Sequence, residues 1–555
     1  MKFPQLIRKW TTPVGLLFVI VLFVRFSSPG DKYFEIARNL DIFATMFKEV
    51  NTYYVDEIKP EKLMKTGIDA MLSSLDPYTN FIPEDDIEDF RTMTTGQYGG
   101  IGALIGKKGD KNIVLMPYEN YPAHKSGLVI GDEIMEIDGI EISRKPTNDI
   151  SKLLKGQAGT KVKIKARRFG QKESFNLELV REKIKIENVP FSGMVTDEVG
   201  YIQLSDFTAE ASREVRKALE KLKDQGCKKL IFDLRDNPGG LLSEAVNVSN
   251  LFIPKDKEVV STKGKMTEWN KTYSALNPAF DIEIPLVVLI NGKSASAAEI
   301  VSGVIQDYDR GVLVGQRSYG KGLVQATRPL SFNSQLKITT AKYYIPSGRC
   351  IQSIDYSHRG DDGVAQRVAD SLKSAFRTMN GRLVYDGGGV SPDIELDKPG
   401  LFPITQSLVM KGLLFDYATE YHQKNSKIAP AKEYSMTDAE YQDFVKWLED
   451  KDYDYVTKVE TTYNELTASA KKEKYYDDIK EQLEALSKKI THNKESDIEK
   501  HKSEIKNLLE QEIVSRYYLE KGVKIVSFRN DPEIKKAVEV LNAPADYLKT
   551  LQARK

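Results

Sequence analysis

The chain predicts an α/β protein with a β-rich module set into it and helical regions at both ends. Three observations predict this. Between residues 183 and 400, apolar strand-like runs alternate with helical patterns: "VGYIQLSDF", "EASREVRKALEKLKDQG", "KKLIFDLRDNPGG", "LLSEAVNVSNLFI", "PLVVLING" and "SAAEIVSGVIQDY". Between 96 and 182 the runs are short, β-type and separated by glycines: "IGALIG", "NIVLMPY", "EIMEIDG", "KVKIKARR" and "SFNLELVR", with one helix at "NDISKLLKG". Outside these limits apolar residues recur at helical spacing. A chain of 555 residues exceeds one hydrophobic core, so several domains are expected.

At the N-terminus, Lys2, Arg8 and Lys9 precede the apolar stretch "TTPVGLLFVIVLFV". Residues 1–28 therefore read as a secretory signal peptide or a retained membrane anchor. Either reading places the rest of the chain outside the cytoplasm, in a periplasmic location, with the inner membrane as a partner through this segment. Residues 31–95 read as helical, through "IARNLDIFATMFKEV". After residue 400 the composition is helical and charge-mixed. Ile479, Leu483, Leu486 and Ile490 form one apolar stripe, and Ile505, Leu508, Leu509 and Ile513 a second. These predict two antiparallel helices over part of 401–555. The region reads as a solvated appendage or as a docking surface for a partner or for the body of the protein.

Composition excludes several functions. The chain carries 81 basic and 80 acidic residues, a net charge of +1, and so no field that would gather nucleic acid. Two cysteines and five scattered histidines make no metal site, and no cofactor is expected.

The module over 96–182 resembles a PDZ domain. "YGGIGALI" matches the carboxylate-binding loop and its following strand, and "ENYPAHKSGLVIGDEIMEIDGIEI" matches the small helix, Gly-Asp turn and strand. The resemblance implies that the loop of Tyr98, Gly99, Gly100, Ile101 and Gly102 offers backbone N–H groups to a chain-end carboxylate. The adjacent strand would take the peptide as an added strand.

"PLVVLINGKSASAAEI" puts Ser294 and Ser296 where a buried strand ends and a helix begins. Helix N-terminal amides there suit a developing oxyanion. Serine needs a neighbouring base, and Lys321, between Gly320 and Gly322, is a candidate that a flexible backbone could turn inward.

Together "YIQLSDF", "DLRDNPGGLL", "SASAAEIVSGVIQD", "VGQRSYGKGLVQ", "YYIPSGRCIQ" and "GGGVSPDIEL" resemble the carboxy-terminal processing (tail-specific) proteases, the S41 serine peptidases. In that family the nucleophile stands three residues before a glutamate and 25 before the lysine. Counting from Glu299 selects Ser296 and then Lys321. The resemblance implies Ser296 as nucleophile, Lys321 as base and Gln325 as the residue orienting the lysine. It implies an oxyanion hole from Ala297 and a glycine of the "NPGG" turn, Gly239 or Gly240. It also implies a ClpP/crotonase-like α/β protease core over 183–400 with the PDZ domain inserted. The expected activity is that of a serine endopeptidase that binds protein or peptide substrates by free apolar C-termini. The family leaves room for an adaptor protein and a homo-oligomer. A catalytically inactive PDZ scaffold is the alternative. A lysine acts as base only where its surroundings lower its pKa from ~10.4 to about 7–8. Ser294, Asp233, Arg235 and Asp236 read as structural.

Overall fold

Short strands of two to five residues with alternating side chains build the central sheet of this computed structural model. The model describes residues 29–360, 363–397, 400–490 and 494–553, so the expectation for 1–28 lies outside the described residues. The strand order is Phe191–Met194, Val199–Gln203, Lys229–Asp233, Leu286–Ile290, Val312–Gly315, Ile394–Glu395. The first pair is antiparallel and the rest are parallel. Leu286–Ile290 is buried at every position. That follows from a parallel sheet covered on both faces.

Alternation sends Leu230, Phe232, Val288 and Ile290 to one face, against helices Ala211–Asp224, Leu242–Ser249 and Ala297–Asp307. Tyr201, Ile231, Val287, Leu289 and Val314 go to the other face. That face is covered from the far end of the chain, by Ile534, Ala537, Val540 and Leu541 of helix Pro532–Asn542 and by Tyr547 of helix Pro544–Thr550. The reading of the C-terminal region as a solvated appendage is thereby corrected for its last two helices, which complete the core, whereas helices Lys458–Lys472 and Tyr476–Ile490 are largely exposed. The two stripes also do not pair with each other. Helix Tyr476–Ile490 packs on Lys458–Lys472, whereas Lys502–Ser527 packs on Leu413–Lys424. A short helix, Lys494–Lys500, separates them.

A second, antiparallel sheet joins Leu323–Pro329 to Gln335–Tyr344 and that strand to Glu258–Gly264. The β-rich module is a sheet ordered Ala103–Lys108, Lys111–Pro117, Glu133–Ile137, Lys161–Arg167, Ser174–Val180. Its terminal strand Ala103–Lys108 lies beside helix Thr147–Leu154. The chain divides into two compact units, 1–81 and 82–555. The first contains helices Pro29–Tyr53 and Pro60–Ser73, and the expected helical run to 95 ends with Ile87–Thr95 in the second. Among the described residues no helix is long and apolar enough to cross a membrane.

Ile534 is 1% exposed on the sheet-covering helix. Ile534→Ala should lower the unfolding free energy by about 2–5 kcal/mol, as for other buried Ile→Ala changes. Lys536→Ala, on the same helix, should stay within about 0.5 kcal/mol. Urea midpoints at equal slope would measure both, and equal effects would mean that the helix does not bury the sheet.

Candidate active site

Strand Leu286–Ile290 ends in a turn held by Ser294. The Asn291 N–H donates to Ser294 Oγ at 2.9 Å, and Ser294 Oγ donates to the Leu234 carbonyl at 2.7 Å. Ser294 is fully buried. It is structural as expected, although it ties two strand ends together instead of capping the helix. Ala295 N–H donates to the Asn237 carbonyl at 2.9 Å. The next residue, Ser296, has φ 55° and ψ −114°, a conformation costing about 1–3 kcal/mol in a non-glycine residue. Helix Ala297–Asp307 starts immediately after it. Among the described residues no acceptor takes the Ala297 N–H.

Glu299 explains how that strain persists. It is 0% exposed. Its Oε2 accepts the Ser296 N–H at 2.8 Å and the Lys321 N–H at 2.9 Å. Its Oε1 accepts the Gly320 N–H at 2.6 Å and the Ser318 hydroxyl. One carboxylate thus joins the Ser296 turn to the lysine loop. Burial pushes its pKa up to about 7 against the pull of these donors. Sequence reasoning used Glu299 only as a spacing mark. The available signal was a lone acid in the apolar helix "AAEIVSGVI".

The lysine loop leaves strand Val312–Gly315 and enters Leu323–Pro329. Its glycines serve close packing, which corrects the expectation of a flexible backbone. A Cβ on Gly320 (φ 88°) would lie 2.4 Å from Ser353 Cβ, and one on Gly322 would lie 2.7 Å from the Gln352 nitrogen. Gly322 N–H donates to Gln352 Oε1 at 2.7 Å. Gln325 Nε2 donates to Thr339 Oγ1 at 3.2 Å. The Tyr343 hydroxyl donates to the Ser296 carbonyl at 3.2 Å, a contact the sequence did not suggest.

The "DLRDNPGG" turn is held from below. Asp233 accepts from the Tyr201 hydroxyl at 2.6 Å and from the Arg235 guanidinium. Burial opposes the Asp233 charge, but Arg235 outweighs it and holds the carboxyl below its usual range. Asp233 and Arg235 are structural here, as expected. Asn237 Nδ2 donates to the Leu204 carbonyl at 2.7 Å, and Asn237 Oδ1 accepts the Gly239 N–H at 2.8 Å. A Cβ on Gly239 would lie 2.8 Å from Ser296 Cβ and 2.9 Å from the Ala297 nitrogen, so only glycine lets this turn approach Ser296. Among the described residues no acceptor takes the Gly240 N–H.

Ser296, Ala297, Lys321, Gln325, Gly239 and Gly240 line one cavity of about 510 Å³. Phe90 and Met93 of helix Ile87–Thr95 form part of its wall. Asp206 also lines it, and burial pushes its carboxyl up. The β-rich module's loop lies elsewhere. Tyr98 and Gly99 line a second cavity, of about 880 Å³. Residues 97–100 form a strand paired with Glu182–Lys185, Ile101 is buried, and Gly102 carries φ 72°. The Gly99, Ile101 and Gly102 carbonyls accept from Gly156, Ala123 and Tyr118. Among the described residues no cluster of His, Cys, Asp and Glu is arranged to hold a metal ion.

Glu299 titrates in a predictable direction. Its folded pKa, about 7, lies above the ordinary 4.5. Its contribution to stability is therefore complete below pH 4.5 and is lost as pH rises through about 7. Glu299→Gln removes this titration and leaves an amide nitrogen facing backbone N–H donors. The stability gap between wild type and Glu299→Gln should be widest at acid pH and shrink towards neutral pH, read by urea unfolding at each pH. A gap that widens with pH would mean that the four donors outweigh burial.

Residues 198–358 match peptidase family S41, residues 113–168 match a PDZ domain, and residues 404–541 match a domain described as "Probable PDZ-protease, C-terminal helical domain". The carboxy-terminal-processing protease of Bartonella bacilliformis is 36% identical over 342 residues, covering 61% of this chain and 77% of that protein. A probable CtpA-like serine protease of Staphylococcus aureus is 36% identical over 316 residues, 56% of this chain and 62% of its own length. The solved photosystem II D1 C-terminal processing protease is 28% identical, with 64% of this chain and 92% of that one aligned at a TM-score of 0.35. With more than three quarters of the Bartonella protein covered at this identity, the chain belongs to the carboxy-terminal-processing proteases of peptidase family S41, and it carries their PDZ domain.

Proposed function

We propose that the chain is an extracytoplasmic serine endopeptidase that binds a protein's free apolar C-terminus in its PDZ domain and cleaves with a Ser296–Lys321 dyad. The observation carrying this reading is the single cavity that Ser296, Lys321, Gln325 and the glycines of the "NPGG" turn line together. Ser296 Oγ attacks the scissile carbonyl while Lys321 Nζ takes its proton. The oxyanion is received by the N–H of Ala297 and by one from the glycine turn. Gly240 has its N–H unbonded among the described residues, whereas Gly239 must first leave Asn237 Oδ1. Collapse expels the amine, protonated by Lys321, and leaves an acyl-enzyme on Ser296. Water, deprotonated by Lys321, attacks the acyl carbonyl and frees the second product. Gln325, in the strand that follows the lysine loop, orients Lys321.

The tail would enter beside the terminal strand Ala103–Lys108 as an added strand, its carboxylate on the loop of residues 98–102. The N-terminal basic and apolar segment supports export of the chain, as a cleaved signal or an anchor in the inner membrane.

Incubation of the protein with an unstructured substrate tests the dyad. Ser296→Ala and Lys321→Ala should each abolish cleavage, and the double variant should be no worse than either, since members of one catalytic unit are non-additive. Ser294→Ala should leave the nucleophile in place, and cleavage that survives Ser296→Ala sinks the assignment. A folded but inactive wild type would select the scaffold reading instead.

The PDZ loop has its own test. Amidating the last residue of an apolar tail peptide should weaken binding about ten- to a hundredfold, the worth of charge-assisted hydrogen bonds to a carboxylate. Titration calorimetry giving equal affinities for acid and amide peptides would reject the loop.

A further inference from the structure

Two acidic side chains from the last part of the chain reach the catalytic loops. Asp531 caps helix Pro532–Asn542: its Oδ1 accepts the N–H of Glu533 at 2.9 Å and of Ile534 at 3.1 Å. Its other oxygen, Oδ2, accepts from Arg235 Nη1 at 2.8 Å. Glu533 Oε2 accepts from the same Arg235 nitrogen, and Glu533 Oε1 accepts from Gln316 Nε2. Arg235 belongs to the "DLRDNPGG" turn, two residues before the Asn237 that holds Gly239 and Ala295. Gln316 opens the loop that runs to Lys321, and its N–H donates to the Ile290 carbonyl at 3.0 Å, where the nucleophile strand ends.

We propose that Asp531 and Glu533 are positioning residues for peptide hydrolysis, fixing the glycine turn against the lysine loop through Arg235 and Gln316. The proposal rests on Ser296, Lys321 and the "NPGG" turn being the catalytic machinery. Glu533 is bonded to both loops, with one oxygen on each. The side chains of Arg235, Asp531 and Glu533 are 14%, 18% and 13% exposed, so solvent screens these contacts little. Anchoring of the helix does not require them, because Ile534, Ala537, Val540 and Leu541 already bury it against the sheet. Buried ion pairs are often no more stabilising than apolar side chains of similar volume, so three carboxylates on one guanidinium make a poor stability device. They make a rigid one. The planar guanidinium donates to Asp233 through Nε and Nη2 and to the acidic pair through Nη1, which fixes the direction of the turn that follows.

The test uses the full chain with an unstructured substrate and measures kcat and KM separately. Asp531→Asn keeps the capping oxygen and loses the charge. Glu533→Gln keeps the length. The double variant should lose about ten- to a hundredfold in kcat, as small misplacements of catalytic groups do, with KM changed by less than about twofold. Ile534→Val loosens the same helix without touching the charges, and it should lower the unfolding midpoint while leaving kcat intact. In an Arg235→Met background, adding both changes should alter kcat by less than about twofold. Unchanged kcat in the double variant overturns the proposal. So does a comparable kcat loss in Ile534→Val, or a loss that persists in full without Arg235. If Arg235→Met does not fold, the kcat-against-KM split and the Ile534→Val control decide. Cleavage surviving Ser296→Ala would reject the site itself, which is a separate result from failure of the clamp.

Discussion

A single buried carboxylate decides whether the strained Ser296 turn and the lysine loop can coexist in this fold. Ser296 occupies a backbone conformation that a serine would leave if free to do so. Three contacts over-determine it: Ser294 pinned to Leu234, Ala295 pinned to Asn237, and the Ser296 N–H pinned to Glu299. The same Glu299 receives the backbone of Gly320 and Lys321. An apolar residue in its place would leave these buried donors unpaired, at about 1–3 kcal/mol each. A basic residue would add donors where only acceptors are wanted. The desolvation of this buried carboxylate is opposed, though not outweighed, by backbone amides and a hydroxyl instead of by a cation, and with its pKa at about 7 its charge at neutral pH is finely balanced.

The second constraint is that a parallel sheet must be covered on both faces. Here the covers come from different parts of the chain. Helices of residues 211–307 cover one face, and the last two described helices cover the other. The C-terminal region is therefore as much part of the protease core as the strands are. Helix Pro532–Asn542 carries apolar residues along the sheet and acidic residues at its start, close to where strands Lys229–Asp233 and Val312–Gly315 give way to the functional loops. One helix thus supplies burial along its length and charge at its end.

The sequence carried what local pattern can carry. Apolar runs such as "PLVVLI" predicted the central strands, and the family resemblance, counted from Glu299, implied Ser296 and Lys321, which the fold brings to one cavity. Three things stayed hidden for physical reasons. Arg235 meets Asp531 and Glu533 across 296 and 298 residues, and nothing local encodes such a pairing. Gly320 and Gly322 suggest freedom in a sequence, yet their missing side chains make room for Ser353 and Gln352. The stripes at 479–490 and 505–513 have the right period for helices, but period does not choose a partner, and each found a different one.

Helix Ile87–Thr95 connects the two functional regions in a specific way. Phe90 and Met93 wall the cavity that Ser296 and Lys321 line, while Asp85, Asp89 and Arg91, in and just before that helix, wall the one beside the PDZ loop. Thr92 lines both. The helix is tied to the PDZ helix Thr147–Leu154 and to the residue just after it by two ion pairs, Lys152–Asp86 at 3.1 Å and Lys155–Asp89 at 2.7 Å. The first pair is solvent-exposed, and such pairs are worth about 0–1 kcal/mol, while the second is half-buried. Its hold on the protease core runs through backbone, from Ala209 N–H to the Thr94 carbonyl at 3.1 Å. Gly96, directly after the helix, has no room for a side chain beside Thr208. The helix is therefore anchored more firmly at the catalytic end than at the PDZ end.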